Sequence, residues 1–436
     1  MVDGRPLHAA VLPQSAAGGR LLGLLAAALD GSGPAILPLD PDIAPARMRG
    51  IIEAFAPAAI ETADGITPIR SAYPAARPVP VAGGTAVVIA TSGSTGRPKG
   101  VELSAAALLH SARASLARIG AKHGERWLCC LPVTHIAGIQ VLVRSLLSGT
   151  VPVIAEKLNG RVLAQSGCSH VSVVPTQLRR LLRAHVPAAG GEAGGAAGTP
   201  VTGGAAAGLA GAHAPGAPWA SFRSVLLGGA AAPAGLVAAA REAGIPVVTT
   251  YGMSETCGGC VYDGVPLDGV SVATGDDGRI RIAGPVLFTG YRLQPGLTAA
   301  ALSDGWFVTS DLGRLDASGV LTVRGRADDV INTGGEKVVA AEVASVLEDC
   351  PGVREAVVVG RPDPEWGERV TAVVVPADRS RPPGLEMLRQ AVRARLPRYA
   401  APRELVLLDA LPMLASGKPD LEALRREQSP HGNVSK

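Results

Sequence analysis

Short apolar runs typical of buried strands alternate with helical patterns from Leu22 to Gly252, and this alternation constrains the fold more than any other feature. The predicted strands are Thr85–Ala90, Trp127–Leu131, Val151–Ala155, Val171–Val174, Ser224–Leu227 and Pro246–Thr250. After the first of them, Ser104 is a suitable N-cap for a helix that continues to about Ile119. The alternation predicts an α/β fold, in which a mostly parallel sheet is covered by helices on both faces.

The pattern changes in the last third of the chain. From Val270 to Arg326, short strands and turns predict a β-rich subdomain, and a compact α+β unit follows. The predicted elements of that unit are a helix near Ala341–Asp349, strands Ala356–Val359 and Val370–Val375, a helix Leu385–Leu396 and a strand Glu404–Leu408. Because 436 residues exceed one ordinary domain, we expect a large N-terminal domain at 1–326 and a small C-terminal lid domain at 327–436.

A segment rich in Gly, Ala and Pro interrupts the α/β pattern at Pro187–Ala220. Such a segment has almost no large apolar side chain to bury, so little offsets the entropy lost on ordering it. We expect a flexible surface insertion at 187–220, and a functional lid is the alternative.

Composition excludes several classes of protein. The net charge is only +4 and aromatic residues make up 3%, so a nucleic-acid partner is not expected. The apolar run Leu21–Leu29 is too short to cross a bilayer and lacks signal-peptide features, which predicts a cytoplasmic protein without stable membrane insertion. Cys257 and Cys260 have the spacing of a metal or redox pair, but without further ligands two buried residues beside a glycine turn are favoured.

The loop Thr91–Gly100 (TSGSTGRPKG) is the most informative motif. Its glycines allow backbone N–H groups to approach an anion, its hydroxyls donate to phosphate oxygens, and Lys99 adds a positive charge. It is not a Walker A sequence, since Pro98 and Gly100 stand where that motif needs Gly and Ser or Thr. The loop alone predicts only a phosphate-binding turn.

Together with four later motifs, this loop resembles the signatures of the acyl-adenylate-forming superfamily, which includes acyl-CoA ligases. The motifs occur in family order: Tyr251–Thr256 (YGMSET), Ser310-Asp311, Arg324–Asp328 (RGRAD) and Ser416–Lys418 (SGK). The resemblance runs from about Leu22 to Asp420. It implies that ATP, Mg²⁺ and coenzyme A are used and that a carboxylic acid is activated as an acyl-adenylate.

The resemblance also implies a role for each matching residue. The implied nucleotide-binding residues are Thr91, Ser92, Gly93, Ser94, Thr95, Gly96, Lys99, Gly228, Gly229, Ala230, Tyr251, Gly252, Met253, Ser254, Thr256, Asp311 and Arg326. Glu255 and Thr95 would hold Mg²⁺, Asp328 would be the hinge, and Gly334, Gly335 and Glu336 would contact coenzyme A. Lys418, His135 and Thr95 would take part in catalysis.

These roles fit the chemistry of adenylation, in which a carboxylate attacks the α-phosphorus of ATP. Two anions must meet, so positive charge and Mg²⁺ are needed where negative charge accumulates. Glu255 is a hard oxygen ligand suited to Mg²⁺. Lys418 and the turn at Gly334 lie on one small predicted domain, so rotation of that domain would serve the two half-reactions in succession.

The identity of the acid depends on the segment Leu131–Gly138 (LPVTHIAG). It resembles the corresponding acyl-CoA ligase segment, and His135 argues against an amino-acid substrate. The short chain, His135–Gln140 with Arg144, and Val174–Leu178 most resemble the o-succinylbenzoate–CoA ligases of menaquinone biosynthesis. Gln140 or Arg144 would then bind the second carboxylate of that acid, and an exposed helix face is the alternative position for Arg144.

Other functions remain open at this point. They are another aryl or fatty acyl-CoA ligase, an acyl-AMP ligase that loads a carrier protein, and a non-catalytic nucleotide-binding homologue. The family's usual segment before Ile36–Pro41 is largely absent. This shortening puts in doubt the N-terminal contribution to the acyl pocket and the contacts of a possible homodimer.

Overall fold

A computed structural model describes residues 4–92, 98–185, 218–413 and 419–426. The described residues form two compact units. The first unit draws on Met1–Gly229, Leu236–Asp263 and Phe288–Pro295, and the second on Ala230–Gly235, Gly264–Leu287 and Gly296–Lys436. Because the second unit takes in strands before Arg326, the domain boundary at residue 326 stays a prediction.

The strands are numbered in chain order. They are β1 (Gly4–Arg5), β2 (Leu7–Val11), β3 (Ala35–Leu39), β4 (Ala59–Thr62), β5 (Gly65–Pro68), β6 (Val81–Ala82), β7 (Thr85–Ser92), β8 (Pro98–Ser104), β9 (Trp127–Cys129), β10 (Val153–Ile154), β11 (His170–Val173), β12 (Ser224–Leu227), β13 (Val247–Met253), β14 (Gly258–Tyr262), β15 (Val265–Pro266), β16 (Ser271–Thr274), β17 (Arg279–Ala283), β18 (Gly290–Tyr291), β19 (Leu302–Ser303), β20 (Trp306–Leu315), β21 (Leu321–Arg326), β22 (Val330–Thr333), β23 (Glu336–Val339), β24 (Val353–Asp363), β25 (Gly367–Pro376) and β26 (Glu404–Leu407).

The α-helices are numbered in the same way. They are α1 (Arg20–Asp30), α2 (Pro45–Phe55), α3 (Ile69–Ala72), α4 (Ala105–Arg118), α5 (Ile136–Leu147), α6 (Gly160–Gln165), α7 (Pro175–His185), α8 (Ala234–Glu242), α9 (Pro295–Ala301), α10 (Ala340–Glu348), α11 (Leu385–Arg395) and α12 (Leu421–Arg426). Helix α4 begins where predicted, because the Ser104 hydroxyl accepts a hydrogen bond from the Ala107 N–H at 3.1 Å.

Two sheets organise the first unit. One has the order β18-β8-β7-β3-β2-β4-β5, with parallel pairing between β2, β3, β4 and β7. The other contains β10-β9-β11-β12-β13 in parallel, and β14 pairs antiparallel with β13. The predicted α/β class is therefore confirmed, and antiparallel strands extend both sheets.

The parallel strands bring several predicted motifs to one edge. Strand β9 leads into the turn before His135, β12 into Gly228, and β13 into the segment holding Glu255. Since these strands run parallel within one sheet, with β11 between β9 and β12, their carboxyl ends lie at the same edge, which is where ligands bind in open α/β sheets.

The second unit combines two further sheets with helices. Strands β16-β17-β20-β19 form one sheet with β21 paired to β20, and β23-β22-β25-β24 form the other with β26 paired to β25. Helices α10 and α11 pack Val343, Leu347, Leu388 and Val392 into one buried apolar core. The predicted β-rich subdomain and α+β unit are both present.

The predicted insertion at 187–220 lies mostly outside the described residues. Trp219, near its predicted end, is buried and donates from Nε1 to the Ala243 carbonyl at 3.1 Å. Trp219 is therefore part of the folded core. Among the described residues no helix is both long and apolar enough to cross a membrane.

Candidate active site

The loop Thr91–Gly100 connects the two strands of an antiparallel hairpin, β7 and β8. Thr91 pairs with Lys99, and the Thr91 hydroxyl donates to the Lys99 carbonyl at 3.2 Å. Strand β8 is absent from the sequence prediction, because its first residues, Pro98 to Gly100, have no strand-like pattern. Gly93, Ser94, Thr95 and Gly96 lie outside the described residues, so their roles stay predictions.

Lys99 lies near a residue that the sequence prediction missed, Tyr291. The Lys99 ammonium is 5.6 Å from the centroid of the Tyr291 ring, within cation–π range. On the other side, the Tyr291 hydroxyl donates to Oε1 of Glu255 at 2.8 Å. The structure therefore brings the lysine of the phosphate loop and the predicted Mg²⁺ ligand to one tyrosine.

A short, internally bonded turn presents Glu255. Residues Ser254–Thr256 form one 3₁₀ turn, in which the Thr256 hydroxyl accepts from the Met253 N–H at 2.9 Å and bonds the Gly258 carbonyl at 2.7 Å. Gly252 precedes it, where an added Cβ would lie 2.0 Å from the Gly258 carbonyl oxygen. Only glycine fits at this position, which explains the Tyr-Gly spacing of the motif.

Within the described part of the chain, the Glu255 carboxylate accepts a side-chain hydrogen bond at Oε1 from Tyr291. A carboxylate oxygen is a hard ligand of the kind that Mg²⁺ takes, and the metal-binding role of Glu255 stays a prediction. Burial and the negative charge of Glu255 raise the pKa of Tyr291 well above its usual value, so its hydroxyl stays protonated and donates.

Two glycines shape the end of β12. At Gly228 an added Cβ would lie 2.2 Å from the Thr250 hydroxyl, and Gly229 has a φ of 79°. This close approach of backbone and neighbouring strand fits the predicted adenine-side turn. Tyr251 lies on β13 opposite Val261, and Ala230 falls in the second unit. The nucleotide contacts of these residues stay predictions.

In the second unit the structure brings together three predicted residues. The Arg326 guanidinium is 3.4 Å from Oδ1 of Asp311 and donates to Oδ2 of Asp328 at 2.7 Å. Asp311 and Arg326 pair directly across β20 and β21. The predicted ribose-binding carboxylate and the predicted hinge residue are thus linked through one arginine.

The predicted coenzyme A turn joins β22 to β23. Gly334 and Gly335 have φ values of 60° and 82°, and Thr333 pairs with Glu336 across the turn. A Cβ on Gly334 would meet the Trp366 ring at 2.6 Å, so this position also requires glycine. The geometry is that of a tight glycine turn, and its contact with coenzyme A stays a prediction.

The turn before His135 is held by a second residue that the sequence prediction missed, Gln14. Its amide donates to the Leu131 carbonyl at 3.0 Å and accepts from the Val133 N–H at 3.2 Å. His135 is exposed at the N-cap position of α5. The pocket position of His135 and its role toward the acid stay predictions.

Gln140 and Arg144 lie further along α5 and are 4% and 5% exposed. The Arg144 guanidinium donates to the hydroxyls of Ser115 and Ser172 at 3.2 Å each, and stacks 4.3 Å from the Trp127 ring. The alternative that placed Arg144 on an exposed helix face is therefore wrong. Contacts of Gln140 and Arg144 with the acid stay predictions.

Tyr291 and Gln14, the two residues that the sequence prediction missed, differ in whether the sequence carries a signal for them. The chain has only five tyrosines, so Tyr291 after Gly290 was a recognisable candidate donor. Gln14 carries no such signal, because its partners lie more than a hundred residues away.

Cys257 and Cys260 do not form part of a metal site in the described part of the chain. No group of three or more His, Cys, Asp or Glu side chains suited to a metal occurs among those residues. Both thiols are buried, and burial raises the pKa of Cys260 to about 12. They therefore have the character of core residues. Lys418 lies outside the described residues, and its catalytic role stays a prediction.

Comparison with known proteins supports the family resemblance from which these site residues were predicted. The model of the AMP-binding enzyme family matches residues 23–292, and that of the AMP-binding enzyme C-terminal domain matches residues 342–418. A probable 2-succinylbenzoate–CoA ligase of Mycobacterium tuberculosis is 43% identical over 352 residues, which cover 78% of this chain and 84% of that protein. The 2-succinylbenzoate–CoA ligase of Listeria monocytogenes is 31% identical, covering 79% and 70%.

Solved structures give the same result. The o-succinylbenzoate CoA synthetase of Bacillus subtilis in complex with its acyl-adenylate intermediate has a TM-score of 0.76 and 27% identity, covering 97% of this chain and 88% of that one. The same enzyme with ATP and magnesium has a TM-score of 0.74 and 26% identity, covering 96% and 89%. With the motifs in order and both family models matched, this chain belongs to the AMP-binding enzyme family.

Proposed function

We propose that this chain is a 2-succinylbenzoate–CoA ligase that acts through an acyl-adenylate, as a step of menaquinone biosynthesis. The observation that carries the adenylation chemistry is that Tyr291 contacts both Lys99 and Glu255 beside the β7–β8 hairpin. The relatives that are 43% and 31% identical, both named as ligases of this acid, support the choice of substrate.

In the first half-reaction a carboxylate oxygen of the acid attacks the α-phosphorus of ATP. The bond to the β-phosphate bridging oxygen breaks, and pyrophosphate leaves with the electron pair. Mg²⁺, held by Glu255 and Thr95, would neutralise phosphate charge when bound. Lys99 and the loop hydroxyls hold phosphate oxygens, Lys418 bridges the carboxylate and the α-phosphate, and Asp311 holds the ribose.

In the second half-reaction the thiol of coenzyme A attacks the acyl carbon. The thiol proton is released to solvent, and AMP leaves with the electron pair of the acyl–oxygen bond. The turn at Gly334–Glu336 lines the path of the thiol after rotation about Asp328. Both glycines of this turn are exposed and carry no side chain, which supports this role because a narrow ligand can approach their backbone closely.

The acid is recognised from the segment after β9 and from α5. We propose that His135 contacts the reacting end of the acid, and that Gln140 and Arg144 set the polarity at its far end. The support is chemical: Arg144 is a buried guanidinium with only hydroxyl and ring partners among the described residues, which favours an anion nearby.

A screen of pyrophosphate release tests the proposal. We expect 2-succinylbenzoate to give the fastest release among aryl, fatty and dicarboxylic acids, and AMP release to depend on coenzyme A. A strong response to another acid, with none to 2-succinylbenzoate, refutes the substrate. Acyl transfer to a carrier protein without any response to coenzyme A indicates the carrier-loading alternative, and no pyrophosphate from any acid indicates a non-catalytic homologue.

Two further parts of the proposal concern the setting of the enzyme. We propose a cytoplasmic location, where ATP and coenzyme A are both supplied, and a homodimer as a possible assembly. Cell fractionation measures the first, and light scattering on the purified protein measures the second.

A further inference from the structure

We infer that Tyr291 is a positioning residue of the adenylation site, which fixes the Glu255 carboxylate so that one oxygen stays available to Mg²⁺. The inference rests on the proposed function, since it assigns Glu255 to the metal. Tyr291 lies outside both the loop Thr91–Gly100 and the motif Tyr251–Thr256, and its contacts with Glu255 and Lys99 lie within the first unit.

The hydrogen bond between Tyr291 and Glu255 holds the carboxylate in one orientation. At 2.8 Å the phenol donates to Oε1, and a charge-assisted bond of this kind is stronger than a neutral one. The bonded oxygen is Oε1, so a single contact sets the orientation of the carboxylate.

Tyr291 is itself held rigidly. It is only 8% exposed, pairs with Val101 across β18 and β8, and has an edge contact with the Phe288 ring at 4.9 Å. The Phe288 N–H also donates to the Glu255 carbonyl at 2.8 Å. Both the backbone and the side chain of Glu255 are thus anchored to the segment that carries Tyr291.

The same tyrosine connects the metal ligand to the phosphate loop. Strand β18 pairs with β8, which leaves that loop, and Lys99 on β8 lies 5.6 Å from the ring centroid. Loss of a hydrogen-bonding partner of a metal ligand usually lowers the affinity for the metal about 10–100-fold. We expect Tyr291 to tune the Mg²⁺ contribution to ATP binding in this way.

Calorimetric binding of α,β-methylene-ATP, with Mg²⁺ and separately with EDTA, tests the inference without acid or coenzyme A. In Tyr291→Phe the ring and its packing remain, and only the hydroxyl is lost. We expect the Mg²⁺-dependent gain in affinity to fall by about tenfold, while the affinity in EDTA stays within about twofold of wild type. Adding Tyr291→Phe to Glu255→Gln is expected to cause no further loss.

Tyr262→Phe is the matched control, because its buried hydroxyl forms a 2.7 Å hydrogen bond to Ser115, away from Glu255. It is expected to leave the Mg²⁺-dependent gain unchanged. An unchanged gain in Tyr291→Phe, or equal losses with and without Mg²⁺, overturns the inference and leaves the proposed function standing. If wild-type protein shows no Mg²⁺-dependent gain at all, the proposed function fails together with the inference.

Discussion

Replacing Gly138 with alanine tests whether the turn before His135 forms the acid pocket. Gly138 lies in the first turn of α5, where an added Cβ would be 2.4 Å from the Pro132 carbonyl oxygen and 2.8 Å from the Val133 Cα. These are backbone atoms, so they cannot rotate away as a side-chain tip would. To restore even a short contact of about 3 Å, the helix and the turn must separate by roughly half an ångström.

The matched control is Gly23→Ala in helix α1, where nothing lies within 4 Å of the added Cβ. There the substitution should raise the free energy of unfolding by up to about 1 kcal/mol through helix propensity alone. At Gly138 the same gain is opposed by overpacking, which costs about 1–3 kcal/mol. Denaturant unfolding should therefore rank the control above wild type and Gly138→Ala below the control.

Steady-state pyrophosphate release provides the functional measurement. Displacement of the turn that holds His135 should lower kcat/KM for 2-succinylbenzoate by roughly 10–100-fold, while KM for ATP stays within twofold or so. If folded Gly138→Ala and Gly23→Ala have the same kcat/KM for the acid, the turn is not part of the acid pocket. An equal rise of both KM values would also contradict the assignment, because it indicates general distortion.

Three more predictions concern other parts of the molecule. Lys418→Ala should slow adenylation by roughly 10²–10³-fold and nearly spare thioester formation from supplied acyl-adenylate; equal loss in both half-reactions, measured by rapid quench, contradicts domain alternation. Burial lowers the pKa of His170 below its ordinary 6.5, so the unfolded chain binds the proton more readily and the free energy of unfolding should fall as pH decreases below about 6.5. His170→Gln should flatten that decline in denaturant titrations. An unchanged slope of the free energy of unfolding against pH contradicts the prediction. The six cysteines are all buried, so a thiol reagent should react rapidly only after unfolding, and prompt reaction of Cys257 or Cys260 in native protein would contradict their role as core residues.

Sequence patterns predicted those parts of the fold that depend on neighbouring residues. The apolar run Ser224–Leu227 and the N-cap Ser104 were placed correctly, because burial periodicity and capping are local properties. The pairing of β18 with β8 was not predictable, since it joins Tyr291 to a strand far earlier in the chain and β18 is only two residues long. The role of Gln14 was not predictable for the same reason, because its two hydrogen bonds join it to residues far along the chain and have no local sequence signature.

The residues of the proposed site fall into groups, and a substitution in one group should impair one half-reaction. Tyr291 contacts both Lys99 and Glu255 within the first unit, and these three residues are proposed to act on ATP in adenylation. The Gly334 turn and Lys418 both follow Asp328 in sequence, and they are proposed to act in different half-reactions. A change at Tyr291 should therefore affect only adenylation and one at Gly334 only thioester formation, whereas a change at Asp328 should affect the transition between them.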